Sequence, residues 1–138
     1  MSELTFLALV GPDYEVGLAA ERVQRIVAEL DWSGAAPIDV AALVPALAGR
    51  AAPRVLAVER NDGGVLALRT TAAIAVRTVE AAALLRLPRI VTRGARWIRG
   101  VVFAAEAAPL VVVDPEIISE ELAGGEPAAG RYSLEELW

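Results

Sequence analysis

Apolar residues in this chain come in short runs punctuated by Gly, Pro and acidic residues. Leu4 to Val10 closes at Gly11-Pro12-Asp13 and resumes as Tyr14 to Leu18, which is a hairpin signature. Arg54 to Arg60 and Val65 to Arg69 flank Asn61-Asp62-Gly63-Gly64. This is the clearest hairpin, because Asp-Gly and Gly-Gly supply positive φ at little steric cost. Ala73 to Val79 is a further β-rich run, and Trp97 to Phe103 returns as Leu110 to Val113 after a break containing Glu106 and Pro109. Many short strands at close spacing predict an all-β chain built as a small barrel or sandwich, with only short helices.

Three stretches interrupt that pattern. In Ala19 to Leu30, the residues Ala19, Val23, Ile26, Val27 and Leu30 fit a helical stripe. The same residues also fit one helical turn over Ala19 to Val23 followed by a strand over Arg25 to Leu30, and periodicity alone does not separate the two. Asp31 to Gly34 reads as a turn, Pro37 to Val40 as a short extended piece, and Ala41 to Gly49 as a short helix or turn. Glu80 to Leu87 has room for one helical turn before Pro88, Arg89 to Arg96 reads as a polar loop, and Glu116 to Leu122 as a short helix.

The chemistry available is narrow. The chain has 138 residues, enough for one ordinary domain or two very small ones, and contains neither Cys nor His. That removes disulfides, thiolate sites, the commonest general base and the commonest metal ligand. No metal and no cofactor is expected, and no enzyme. The composition is 56% apolar, which calls for a very full core or for apolar surface kept for a partner. Net charge is -5 and every basic residue is Arg. Arg86, Arg89, Arg93, Arg96 and Arg99 form the densest basic cluster, read first as solvated surface, then as a protein contact, and only distantly as a nucleic-acid face. The start of the chain carries an acid where a signal peptide needs basic residues, and Val101 to Val113 is shorter than the roughly 20 residues a membrane crossing needs. These features predict a soluble, cytoplasmic protein with no membrane insertion.

One pattern recurs within the chain. Trp97-Ile98-Arg99-Gly100 followed by Pro109 to Glu116 has a shorter counterpart in Trp32-Ser33-Gly34 followed by Pro37-Ile38-Asp39-Val40. Gly34 and Gly100 read as backbone necessities, a bulge or a close approach. Asp39 and Asp114 read as turn or capping residues. Trp32 and Trp97 are core residues by default and interface anchors as the second choice. At the other end, Ala123 to Gly130 has linker composition, and Ser133-Leu134-Glu135-Glu136 has the form of a capping box ahead of Leu137-Trp138. That tail reads equally as a docking peptide and as a segment that folds back on its own domain.

Arg54 to Glu59, Val65 to Leu68, Ala73 to Val79, Leu84 to Pro88 and Trp97 to Glu116 follow in an order that resembles the second half of CheW-like domains, the adapter domains of bacterial chemotaxis-type signalling. Phe6 to Val10, Tyr14 to Leu18, Val23 to Val27 and Gly34 to Val40 resemble the first half of the same family after losses. Ser33 stands where the family usually has Arg, and only a few residues separate Val27 from Gly34 where the family commonly has a further strand pair. The resemblance implies two small SH3-like β-barrel subdomains, the first incomplete, spanning 1–49 and 50–122, with a linker and tail over 123–138. It also implies a non-enzymatic adapter that joins a chemoreceptor, a CheA-type histidine kinase regulatory domain or another CheW-like protein. A homodimer through strand edges exposed by the lost segment is a further expectation. The partner-binding candidates are Trp97, Ile98, Arg99, Ser33, Leu137 and Trp138.

Overall fold

A computed structural model of the chain describes residues 2–86, 97–104 and 106–115. Strands dominate. In chain order they are β1 (Glu3–Val10), β2 (Glu15–Ala19), β3 (Val23–Ala28), β4 (Ile38–Asp39), β5 (Arg54–Glu59), β6 (Val65–Thr70), β7 (Ala73–Glu80), β8 (Leu84–Arg86), β9 (Ile98–Ala104) and β10 (Ala107–Val113). The α-helical content described is one turn, α1 (Val40–Leu43). Asp39 starts that turn by accepting the Ala41 N–H at 3.0 Å, as its sequence position predicts, and Pro45 begins a separate 3-10 turn after it.

The predicted hairpins form. β1 and β2 pair antiparallel around Gly11, whose N–H donates to the Tyr14 carbonyl at 3.0 Å. β5 and β6 pair around Gly63 at φ +85°, while Asp62 Oδ1 accepts the Gly64 N–H at 2.8 Å. β9 and β10 form the third pair. Over Ala19 to Leu30 the strand reading holds: a 3-10 turn, Ala20–Arg22, leads into β3, which pairs along β5. A helical stripe of this length loses once a partner strand offers a ladder for its backbone groups. The segment before Pro88 behaves similarly, with a 3-10 turn, Ala81–Ala83, leading directly into β8. Between β3 and β4 the chain contains a 3-10 turn, Glu29–Asp31, and irregular backbone, with no strand pair.

The strands assemble into two sheets. The larger has the order β7-β1-β2-β10-β9-β8 and the smaller β3-β5-β6-β4. Two neighbouring pairs are parallel, β2 with β10 and β4 with β6. Neither sheet follows the 49/50 boundary suggested by the sequence. The larger sheet takes β1 and β2 from the first half of the chain, and the smaller takes β5 and β6 from the second. The pairings that cross the boundary, β1 with β7, β2 with β10, β3 with β5 and β4 with β6, join strands far apart in sequence, and nothing local marks the partner.

Alternation along the strands builds two cores. Phe6 and Ala8 of β1, Val102 of β9, and Leu110 and Val112 of β10 form one cluster, with Val79 of β7 and Leu84 of β8 packed against it. Those last two strands are the ends of the six-stranded order, so the larger sheet curls around its own apolar interior. The intervening residues Leu7, Leu9, Val111 and Val113 face the other way, into a second cluster shared with Leu56, Val58, Leu66 and Leu68 of the smaller sheet. β1 and β10 are thus buried on both faces, which is why they read as nearly unbroken apolar runs. Within the shared core, Leu9, Leu43, Leu68, Trp97 and Val113 help to line an apolar cavity of about 20 Å³.

Candidate interaction surface

The pattern Trp97 to Asp114 resolves into a bulge and an ion pair. Register along β9 and β10 runs Val112 to Gly100 and then Val113 to Ile98, leaving Arg99 as the extra residue of a β-bulge. The bulge puts Ile98 and Val101 in the shared core and pushes Arg99 outward. Its Nε and Nη2 both donate to Asp114 Oδ2, at 3.0 and 2.6 Å, and the Asp114 N–H donates to the Trp97 carbonyl at 2.7 Å. The Arg99 side chain remains 59% exposed, so the pair contributes at most about 1 kcal/mol and leaves a guanidinium face open to a partner. Gly100 answers a close approach: a Cβ there would lie 2.6 Å from the Leu85 carbonyl oxygen of β8.

The shorter counterpart is built differently. Ser33 and Gly34 lie on an exposed loop, and Ser33 has no charged group to offer Asp39. Asp39 Oδ2 instead accepts from Arg69 Nη1 at 3.4 Å, while Arg69 Nε donates to Glu29. Arg69 belongs to β6 and stands beside Asp39 in the parallel register of β4 with β6. The guanidinium that meets Asp39 thus comes from β6, thirty residues further along the chain. Arg22 donates to the Glu59 carbonyl through Nε and Nη2, at 3.0 and 2.7 Å, and the Arg25 guanidinium lies 5.7 Å from the centre of the Trp32 ring.

These contacts lie on the outer face of the smaller sheet. On its face away from the shared core, Val27, Val55, Arg69 and Asp39 form one row and Arg25, Ala57 and Ala67 the next. Val55 and Ala57 are nonetheless buried. The segment from Glu29 to Pro37 lies over this face, tied by Glu29 and Asp39 to Arg69, by Trp32 to Arg25, and by the Trp32 indole N–H donating to the Ala35 carbonyl at 2.8 Å. The edge strand β3 stays open alongside, with Ile26 42% and Leu30 98% exposed. A register shift between Val23 and Arg25 puts a bulge into that edge.

Of the partner-binding candidates, Arg99 on β9 and Ser33 on the loop before β4 reach the surface, whereas Trp97 and Ile98 are buried in the shared core. Leu137 and Trp138 lie outside the described residues, as do Arg89, Arg93 and Arg96 and the expected helix, linker and tail after Pro115. Sequence reasoning missed Leu85 and Phe103, which are 54% and 55% exposed on β8 and β9. The signal was available, since both stand one position out of step with the interior residues Leu84 and Val102. A polar groove lined by Glu21, Arg22, Glu59, Arg60 and Asn61 lies beside the 3-10 turn before β3. Among the described residues, no group of three or more carboxylates gathers as a metal site, and no helix is long and apolar enough to cross a membrane.

No protein-family model matches the chain, and no curated protein matches it by sequence. Comparison of the folds does find a similar structure. The crystal structure of the scaffolding protein TtCheW from Thermoanaerobacter tengcongensis superposes with a TM-score of 0.63 and 13% identity, over 83% of this chain and 86% of that one. The two curled sheets, their crossed-over strand membership and this superposition establish that the chain has an all-β, CheW-like fold.

Proposed function

We propose that the protein is a non-enzymatic CheW-like adapter in a bacterial chemotaxis-type signalling pathway, linking or modulating receptor and CheA-type histidine kinase assemblies in the cytoplasm. The observation that carries this reading is the fold, shared with a scaffolding protein over most of both chains. The chemistry is consistent with it: without His or Cys, what the described surface offers is an exposed guanidinium at Arg99, exposed apolar side chains and an open strand edge. Such groups bind and position other proteins, and none of them needs a substrate cavity.

Part of the ordinary coupling surface is altered in this reading. Ser33 offers no guanidinium at the position where the resemblance leads one to expect Arg, and Arg69 is committed to Glu29 and Asp39. The adapter accordingly retains the contact centred on Arg99 and has lost the one centred on position 33. Size-exclusion chromatography of the protein mixed with a CheA-type regulatory domain tests this: a joint peak that Arg99→Glu abolishes and Ser33→Ala leaves intact is expected. Separate elution of the unmodified proteins at concentrations of tens of micromolar contradicts it.

A second reading, a self-associating interaction protein outside chemotaxis, is favoured by the open β3 edge with Ile26 and Leu30 beside it. It predicts a homodimer dissociated by Ile26→Lys, with no complex formed with the kinase domain.

A further inference from the structure

We propose that Arg77, with Glu15, sets the register of β10 and so positions Asp114 against Arg99 from the opposite end of that strand. The hydrophobic pattern does not set it. Leu110 and Val112 face the interior of the larger sheet, Val111 and Val113 face the shared core, and all four are buried. A slip by one residue exchanges the two faces and leaves every position apolar, so the alternation that usually fixes a strand is uninformative here. Val112 has no side chain directly opposite it either, since its register partners are Gly17 of β2 and Gly100 of β9.

Polar contacts hold β10 at both ends instead. Beyond Val113, Asp114 is bonded to Arg99 and to the Trp97 carbonyl, where β9 carries its extra residue. At the other end the extra residue is on β10: Ala107 stands opposite Ala104 and Leu110 opposite Val102, so three steps match two. Pro109 in that bulge brings no N–H, and Arg77 Nη1 donates to the Ala108 carbonyl at 2.8 Å. The same Nη1 lies 3.4 Å from Glu15 Oε1, and the two side chains are only 15% and 18% exposed. Arg77 stands opposite Phe6 and Glu15 opposite Leu110, so both share the inner face of the larger sheet with that core. On the strand lattice the diagonal from Arg77 to Glu15 crosses Ala8, fully buried and small enough to let a long side chain pass. An ion pair set inside an apolar sheet stabilises little over apolar residues of its size, and its best-supported use is to select one register among several. A slipped β10 presents a different carbonyl to Arg77 and carries Asp114 one position away from Arg99. The consequence for partner binding rests on the adapter reading; the register itself does not.

The test is amide NMR of the full-length chain, isotope-labelled at its glycines, unmodified and as Arg77→Met, which keeps an apolar stem. Gly17 and Gly100 flank Val112 and report the register, while Gly63, in the turn between β5 and β6, is the control. The unmodified chain is expected to give one signal for each. Arg77→Met is expected to give a second signal for Gly17 and Gly100, at about a tenth of the main intensity or more, with Gly63 single. Arg77→Lys, which keeps a donor for Ala108 or Glu15, should shrink that second set. Glu15→Gln keeps Arg77 and its bond to Ala108, so it decides the matter where Arg77→Met fails to fold, and a smaller second set at the same two glycines is expected. A lower unfolding midpoint with single signals in the folded variants overturns the proposal, because the pair then only stabilises. Doubling that extends to Gly63 overturns it too, since that marks general loosening. No partner is present in the tube, so failure of the adapter reading leaves these outcomes untouched.

Discussion

Arg69 and Arg99 carry the same guanidinium to similar carboxylates, yet their surroundings assign them different roles. Arg69 is 29% exposed and joins Glu29 to Asp39, holding the segment over the smaller sheet. Arg99 is 59% exposed and bonded to one Asp114 oxygen. Replacing Arg69 with Ala is expected to lower stability by about 1–2 kcal/mol in urea unfolding, because two ion pairs and the order of that segment go together. Arg99→Ala should cost less than about 1 kcal/mol, and its effect should appear in partner binding. Equal losses would contradict the division. Gly100→Ala is expected to cost about 1–3 kcal/mol, since its Cβ would meet backbone at Leu85 rather than a side chain able to move. An unfolding midpoint unchanged from wild type would show that β8 yields freely.

At the scale of elements, the edge of the smaller sheet is the weak point. β3 has two exposed apolar residues at or beside it, and its bulge interrupts the flat row of backbone groups that invites pairing. Ile26→Lys is therefore expected to leave stability within about 0.5 kcal/mol while reducing concentration-dependent association in sedimentation measurements. A loss of several kcal/mol would instead place Ile26 in the core. The hairpins, the capping role of Asp39 and the strand character of the apolar runs were legible in the sequence, because each rests on residues within a few positions of one another. The pairing of β2 with β10 and of Asp39 with Arg69 was not, because both depend on parallel registers between distant segments. Trp97 and Ile98 looked as available as Arg99 until the bulge turned the run, burying two side chains and exposing the third.

For the whole molecule, the two cores of the described residues are joined by β1 and β10, strands buried on both faces. The larger sheet curls around its own apolar interior, and a loop tied to Arg69 and Arg25 lies over the outer face of the smaller. The most direct measurement is calorimetric titration of the purified protein against a CheA-type regulatory domain and, separately, a receptor signalling tip. The account predicts saturable binding to at least one of them, sensitive to Arg99→Glu, with the other weakened or lost relative to an ordinary CheW-like protein. Binding to both with ordinary affinity would contradict the loss of a contact surface, and binding to neither would contradict the adapter role itself.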